Sequence, residues 1–195
     1  MRWLVVLALA GCGDNASPAR PPADANDIPT GDPCNGRIVT AALTAAPHVP
    51  DGSVVDWTTN PPTSGPHYAV WAKWDRQFTT LARGNWMHNA EHGGVIFAYR
   101  CDAGCDVAAT LARLVSGFAD DPRCLAPIRH RAIVVADPLL PSDGDVAAVA
   151  WGTYYIAAGS CVDDAALTRF YLARVGHGPE DTCADGSGAF GGDPL

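Results

Sequence analysis

Residues 94–100, GVIFAYR, form a continuous apolar run of strand length, the pattern of a strand covered on both faces. Downstream the period changes. Val107, Leu111, Leu114, Val115 and Phe118 recur at three- and four-residue intervals, predicting an amphipathic helix. Asp106 stands at its start, where a carboxylate suits the positive end of the helix dipole. AIVVAD (132–137) reads as a second buried strand ended by Pro138, and VAAVAWGTYYIAA (146–158) contains at least one more, with Gly152 as a bulge or hairpin point. DDAALTRFYLARVG (163–176) closes the series as a helix. It carries Leu167, Phe170, Tyr171 and Arg174 at helical spacing, with Gly176 or Gly178 as its stop. Upstream, RIVTAAL (37–43) reads as a first strand. The order predicts an α+β fold, a small and mostly buried sheet with two helices packed on one face.

Between the first strand and residue 94 the pattern is irregular. HVPDG (48–52) and NPPTSGPH (60–67) are punctuated by Pro and Gly, while Trp57, Trp71, Trp74 and Trp86 are spread among polar residues. A long segment without regular structure is uncommon in a compact domain unless it is functional or pinned, and the aromatics supply pins. This Pro/Gly/Trp-rich region also carries most of the histidines.

The ends modify this picture. One positive charge at Arg2, an apolar run from Trp3 to Ala10 and the sequence Leu9-Ala10-Gly11-Cys12 read as a lipoprotein signal peptide (1–11) with Cys12 as the lipidated residue. The run is about eight residues, against the roughly twenty needed to span a bilayer. The expected membrane partner is therefore reached through the lipid on Cys12. Residues 12–33 are rich in Pro, Asp, Ala and Asn and lack aromatics, so they read as a disordered tether with a reach on the order of 25 Å. The folded domain is expected over 34–183, and the Gly-rich 184–195 as a flexible tail. The chain is expected to be exported and lipid-anchored to a bacterial cell envelope.

Six cysteines remain after Cys12: Cys34, Cys101, Cys105, Cys124, Cys161 and Cys183. An even number in an exported domain favours disulfides over a cysteine metal site, and no C-x-x-C pair is present; the pairing is left open. Thirteen basic residues against twenty-one acidic ones, with no basic stripe, exclude a nucleic-acid partner. No protein partner is indicated. Neither a nucleophile elbow nor a phosphate-cradling glycine loop is present.

Candidate chemistry concentrates in GNWMHNAEHGG (84–94). On a turn of helix His88 and His92 share a face, and Gly93 can take the left-handed conformation that ends the turn. Two imidazoles are too few for zinc, which takes four ligands when structural or three plus water when catalytic. His67, in the stiff NPPTSGPH loop, is the natural third and His48 a fourth. His130 lies between Arg129 and Arg131, which disfavours a cation, and His177 lies beyond the last helix. Only two of the acidic residues are Glu, Glu91 and Glu180, and Glu91 sits between the paired histidines. It could ligate, orient an imidazole, or act as general base on a metal-bound water. HNAEH also fits the H-x-x-E-H zinc motif of inverzincin peptidases, but the glycines and strand that follow at once do not suit their long helix.

NPPTSGPHYAVW, MHNAEHGGVIFAY, VAWG (149–152) and GPE (178–180) together resemble the family of domain of unknown function 3105, over roughly His48 to Glu180. Ala90 stands where that family more often has Leu. The resemblance implies that His67, His88, Glu91 and His92 belong to one site; it implies no activity. The leading expectation is a transition-metal site, copper or zinc, formed by His67, His88 and His92 with His48 or Glu91 completing it, in a binding, storage or delivery role. On that reading Glu91→Gln should largely keep the metal. The alternatives are a metal-dependent hydrolase with Glu91 as catalytic base, and an envelope interaction or structural module without metal.

Overall fold

The computed structural model describes residues 32–101 and 106–195. The leader, Cys12, most of the tether, and Cys105 lie outside the described residues.

Among the described residues, nine strands and three α-helices follow one another as β1 (Arg37–Thr40), β2 (His48–Val49), β3 (His67–Tyr68), β4 (Arg76–Phe78), α1 (Arg83–Glu91), β5 (Val95–Tyr99), α2 (Val107–Ser116), β6 (Ala132–Ala136), β7 (Val146–Ala150), β8 (Thr153–Ala157), α3 (Asp164–Arg174) and β9 (Asp193–Pro194). The main sheet is mixed, in the order β1-β8-β7-β5-β6-β4-β9. β5 is central, parallel to β6 and antiparallel to β7, and β6 is in turn parallel to β4. The 146–158 segment is a hairpin, β7 and β8 pairing antiparallel around Trp151 and Gly152, with Gly152 at φ 78°.

Both faces of the sheet are covered, which explains the unbroken apolar runs of β5, β6 and β7. Val95, Phe97, Tyr99 and Val134 pack against Val107, Leu111 and Val115 of α2 and Leu167, Phe170 and Tyr171 of α3. Ile96, Ala98, Ile133 and Val135 face the other way, onto Trp86, Met87 and Ala90 of α1 together with Trp74 and Phe78. The α+β class is as expected, and α2 and α3 share one face. The helical turn expected around His88 is a nine-residue helix covering the opposite face, so the sheet is sandwiched rather than covered on one side. Apolar periodicity does not reveal α1, because part of its buried surface is polar.

Two further differences bear on the site. The 44–82 region is not without regular structure. It contains the parallel pair β2–β3, in which His48 and His67 are register partners. Asp106 stands at the start of α2 as expected, without a side-chain cap, and Asp163 of α3 accepts from the backbone N–H groups of Ala165 and Ala166. The Gly-rich segment 184–195, expected to be loose, returns to the sheet: Ala184 O accepts from Trp74 Nε1 at 2.8 Å, and β9 pairs antiparallel with β4.

Disulfides join Cys34 to Cys161 and Cys124 to Cys183, and Cys101 is likewise disulfide-bonded. Such crosslinks belong to an oxidising, non-cytoplasmic compartment. No helix among the described residues is long and apolar enough to cross a membrane.

Candidate metal centre

α1 uses two surfaces. Trp86, Met87 and Ala90 face the sheet, while Asn85, His88, Asn89 and His92, spaced i, i+3, i+4 and i+7, line a second face. That polar face reads the backbone of the extended segment beside it. His88 Nδ1 meets Tyr68 O at 2.7 Å, Asn85 Nδ2 donates to Val70 O at 2.7 Å, and Asn89 exchanges two hydrogen bonds with the backbone of Ala72. Alternate residues 68, 70 and 72 are thus each held by one polar side chain of α1. Gly84, near the helix start, has the ring of Tyr68 against its Cα; a Cβ there would lie 2.6 Å from the ring.

The helix ends in a Schellman arrangement. Gly93, at φ 81°, donates to Ala90 O, and Gly94 N donates to Asn89 O. Onto this end folds the segment after α3. Gly176 N donates to Gly93 O at 2.8 Å and Glu180 N to Glu91 O at 3.0 Å. A Cβ on Gly178 would lie 2.1 Å from Glu91 O and 2.3 Å from Gly93 N, both backbone atoms that cannot step aside. Gly178→Ala should therefore push this loop off the helix end. The expected cost is about 1–3 kcal/mol, as for other overpacked interiors, and would be read as a lowered thermal midpoint.

Four side chains meet beside α1. Ligand atoms of His48, His67, His88 and Glu91 all lie within 4.8 Å of one another. Glu91 Oε2 is 2.8 Å from His67 Nε2, 3.7 Å from His48 Nε2 and 4.0 Å from His88 Nε2. Four ligands at zinc bond lengths stand about 3.4 Å apart in a tetrahedron, a spacing these distances bracket. His67 and His88 are buried, whereas His48 is about half exposed at the rim. Trp71 lies across His88 and His92, and Trp151 of the VAWG turn meets His67 edge-on. That turn also anchors the histidine loop, Gly152 N donating to Thr63 O at 2.8 Å.

The tautomers follow from the partners. His67 Nδ1 faces Gly65 O at 3.0 Å and His88 Nδ1 faces Tyr68 O at 2.7 Å. A carbonyl oxygen only accepts, so each Nδ1 carries the proton and, in the neutral ring, each Nε2 presents a lone pair to the centre. Metal-ligating histidines are commonly braced in this way through their second nitrogen. At 2.8 Å, the His67 lone pair and the Glu91 carboxylate require a proton or a cation to relieve their repulsion.

Burial lowers His88 to about 4 despite the Tyr68 hydrogen bond, and the neighbouring histidines act in the same direction. His92 is lowered too, first by burial, with Glu180 opposing. The unfolded chain takes up these protons near pH 6.5 and the folded chain only at lower pH. Stability of chelator-treated protein is thus full above about pH 6.5 and is lost as pH falls towards 4. His88 alone contributes on the order of 3 kcal/mol to this loss. Thermal unfolding across that window should show the decline, and His88→Gln should flatten it.

His92 is not a member of that four-residue group. Its imidazole groups with Glu91 and Glu180, Nε2 lying 3.4 Å from Glu180 Oε2. Glu180 is the participant that sequence reasoning passed over, although a signal existed: the chain's only two Glu residues meet here. His130 is engaged elsewhere, Nδ1 with Asp75 Oδ1 at 2.6 Å and Nε2 with Phe118 O at 3.0 Å, and His177 is exposed.

All four motifs, NPPTSGPH, HNAEHGG, VAWG and GPE, therefore converge on one end of α1. No curated protein and no solved structure matches the chain. Residues 48–186 match the family described as protein of unknown function DUF3105, a span that runs from His48 through the loop bearing Glu180, and the chain belongs to that family.

Proposed function

We propose that this domain binds a transition metal ion, zinc or copper, through His48, His67, His88 and Glu91, and that it does so outside the cytoplasm on a lipid anchor at Cys12. The observation that carries the reading is the bracing of two buried imidazoles. Backbone carbonyls hold the protons of His67 and His88 on Nδ1, so both Nε2 atoms face the one carboxylate between them. Imidazole and carboxylate suit zinc and cupric ions alike. Four protein ligands fill a tetrahedral site without leaving the open position that catalytic zinc keeps, which favours holding or delivering the ion over hydrolysis. Glu91 then serves as ligand rather than as base, since its Oε2 already faces three imidazole nitrogens.

The test is elemental analysis of the exported protein, purified without tag or chelator, beside a His67→Ala/His88→Ala variant whose folding is checked by thermal unfolding. Bound zinc or copper in the wild type that disappears from the folded variant is the expected result. Protein that carries none and takes up none on titration would overturn the reading. Lipidation is tested separately by mass spectrometry of the N-terminal peptide, where Cys12 should carry a diacylglyceryl group and Cys12→Ser should abolish membrane retention.

A further inference from the structure

We infer that the same site has a second metal position, formed by His92 and Glu180 and sharing Glu91 with the first. This rests on the reading above, because Glu91 is common to both.

The argument starts from His92. Its ring is buried, and neither nitrogen has a hydrogen-bond partner in the structure. Leaving two buried ring nitrogens unsatisfied is costly, and native interiors avoid it. His67 and His88 each spend Nδ1 on a carbonyl; His92 has no such brace. Its Nε2 does lie 3.4 Å from a carboxylate oxygen of Glu180, without hydrogen-bond geometry. Ligand atoms of Glu91, His92 and Glu180 lie within 4.8 Å of one another, as those of the first group do. Two carboxylates and an imidazole are a suitable donor set for a divalent first-row ion.

The two positions adjoin. The rings of His88 and His92 are 4.7 Å apart between centroids, one on each side of Glu91 in the chain. A carboxylate has two oxygens and several lone pairs, so Glu91 can serve both ions, as carboxylates do in two-metal sites. The positions differ in access. The first is closed by four ligands, two of them buried imidazoles, whereas the second is completed by Glu180, more than half exposed. Three protein ligands leave it a coordination position for water or an incoming donor. It is therefore the weaker and faster-exchanging position, where an ion arrives or leaves.

Zinc titration of the chelator-treated, exported full-length protein tests this, with equilibrium dialysis for stoichiometry and thermal unfolding for folding. Two zinc ions per chain are expected, the second bound at least tenfold more weakly. Folded His92→Ala and Glu180→Gln should each keep one ion with the tight affinity unchanged, while His88→Ala should lose the tight ion. One ion per chain in the wild type, unaffected by either substitution, would overturn the second position and leave the first intact. A single ion lost from folded His92→Ala would also overturn it, by making His92 a ligand of the one site. No zinc at all would overturn this inference together with the reading it depends on.

Discussion

Glu91→Gln is expected to empty the site while leaving the fold in place. Among the described residues, the carboxylate is the charged group that faces His48, His67 and His88, and it also stands in the group with His92 and Glu180. Glutamine keeps the shape and can still pair with His67, so packing around α1 should survive. On the metal reading proposed above, what disappears is the negative charge that would offset a divalent cation among the imidazole ligands. Even groups one step removed from a metal typically change affinity 10–100-fold when altered. A direct anionic ligand should exceed that, so a loss of about 100-fold or more is expected in a zinc competition assay. This departs from the expectation drawn from sequence, where Glu91 could be a supporting group whose amide retains the metal. The difference comes from its Oε2 lying among three imidazole nitrogens, a position that spacing along the chain cannot reveal. Unchanged affinity in folded Glu91→Gln would remove Glu91 from the ligand set.

Arg131→Met is expected to have the largest effect on stability. The guanidinium is buried. Its Nε donates to Asp121 Oδ2 at 2.8 Å, and its Nη1 donates to Asp181 and, at 3.3 Å, to His92 O. Arg131 thus ties the end of α1 to the loop that carries Glu180. Methionine fills similar space but strands buried Asp121 without its partner. Breaking such a pair from one side typically costs about 3–5 kcal/mol. Denaturant unfolding should show that loss at neutral pH. An Arg131→Met/Asp121→Leu double variant, which removes both charges, should recover part of it.

How much of this was legible in the sequence depends on what each residue is buried against. β5, β6, β7 and α2 announce themselves because their environment is apolar, and composition follows burial directly. α1 does not, because part of its buried surface is polar: Asn85, His88 and Asn89 bind the backbone of residues 68–72, and His92 is buried beside them. Hydropathy scores those positions as solvent-facing. The pairing of His48 with His67 was out of reach for a similar reason: two-residue strands carry no periodicity, and their parallel register is set by contacts distant in sequence. Glu180 lies 89 positions beyond Glu91, and only the fold of the chain after α3 brings them together.

The bond between Cys124 and Cys183 acquires a further meaning from its position. Cys183 follows Glu180 by three residues, and the crosslink fastens that segment to the loop after α2. A reduced chain would hold Glu180 in place through the Arg131 and Arg123 contacts to Asp181, the backbone bonds to α1 and the Trp74 hydrogen bond to Ala184, without the covalent tie. On the two-position reading inferred above, oxidation would secure the outer ligand, and the second position would fill most readily in a chain that had already left a reducing environment. Occupancy of that second position would record the chain's redox history, whereas the first position uses no residue of this loop and would not depend on the crosslink.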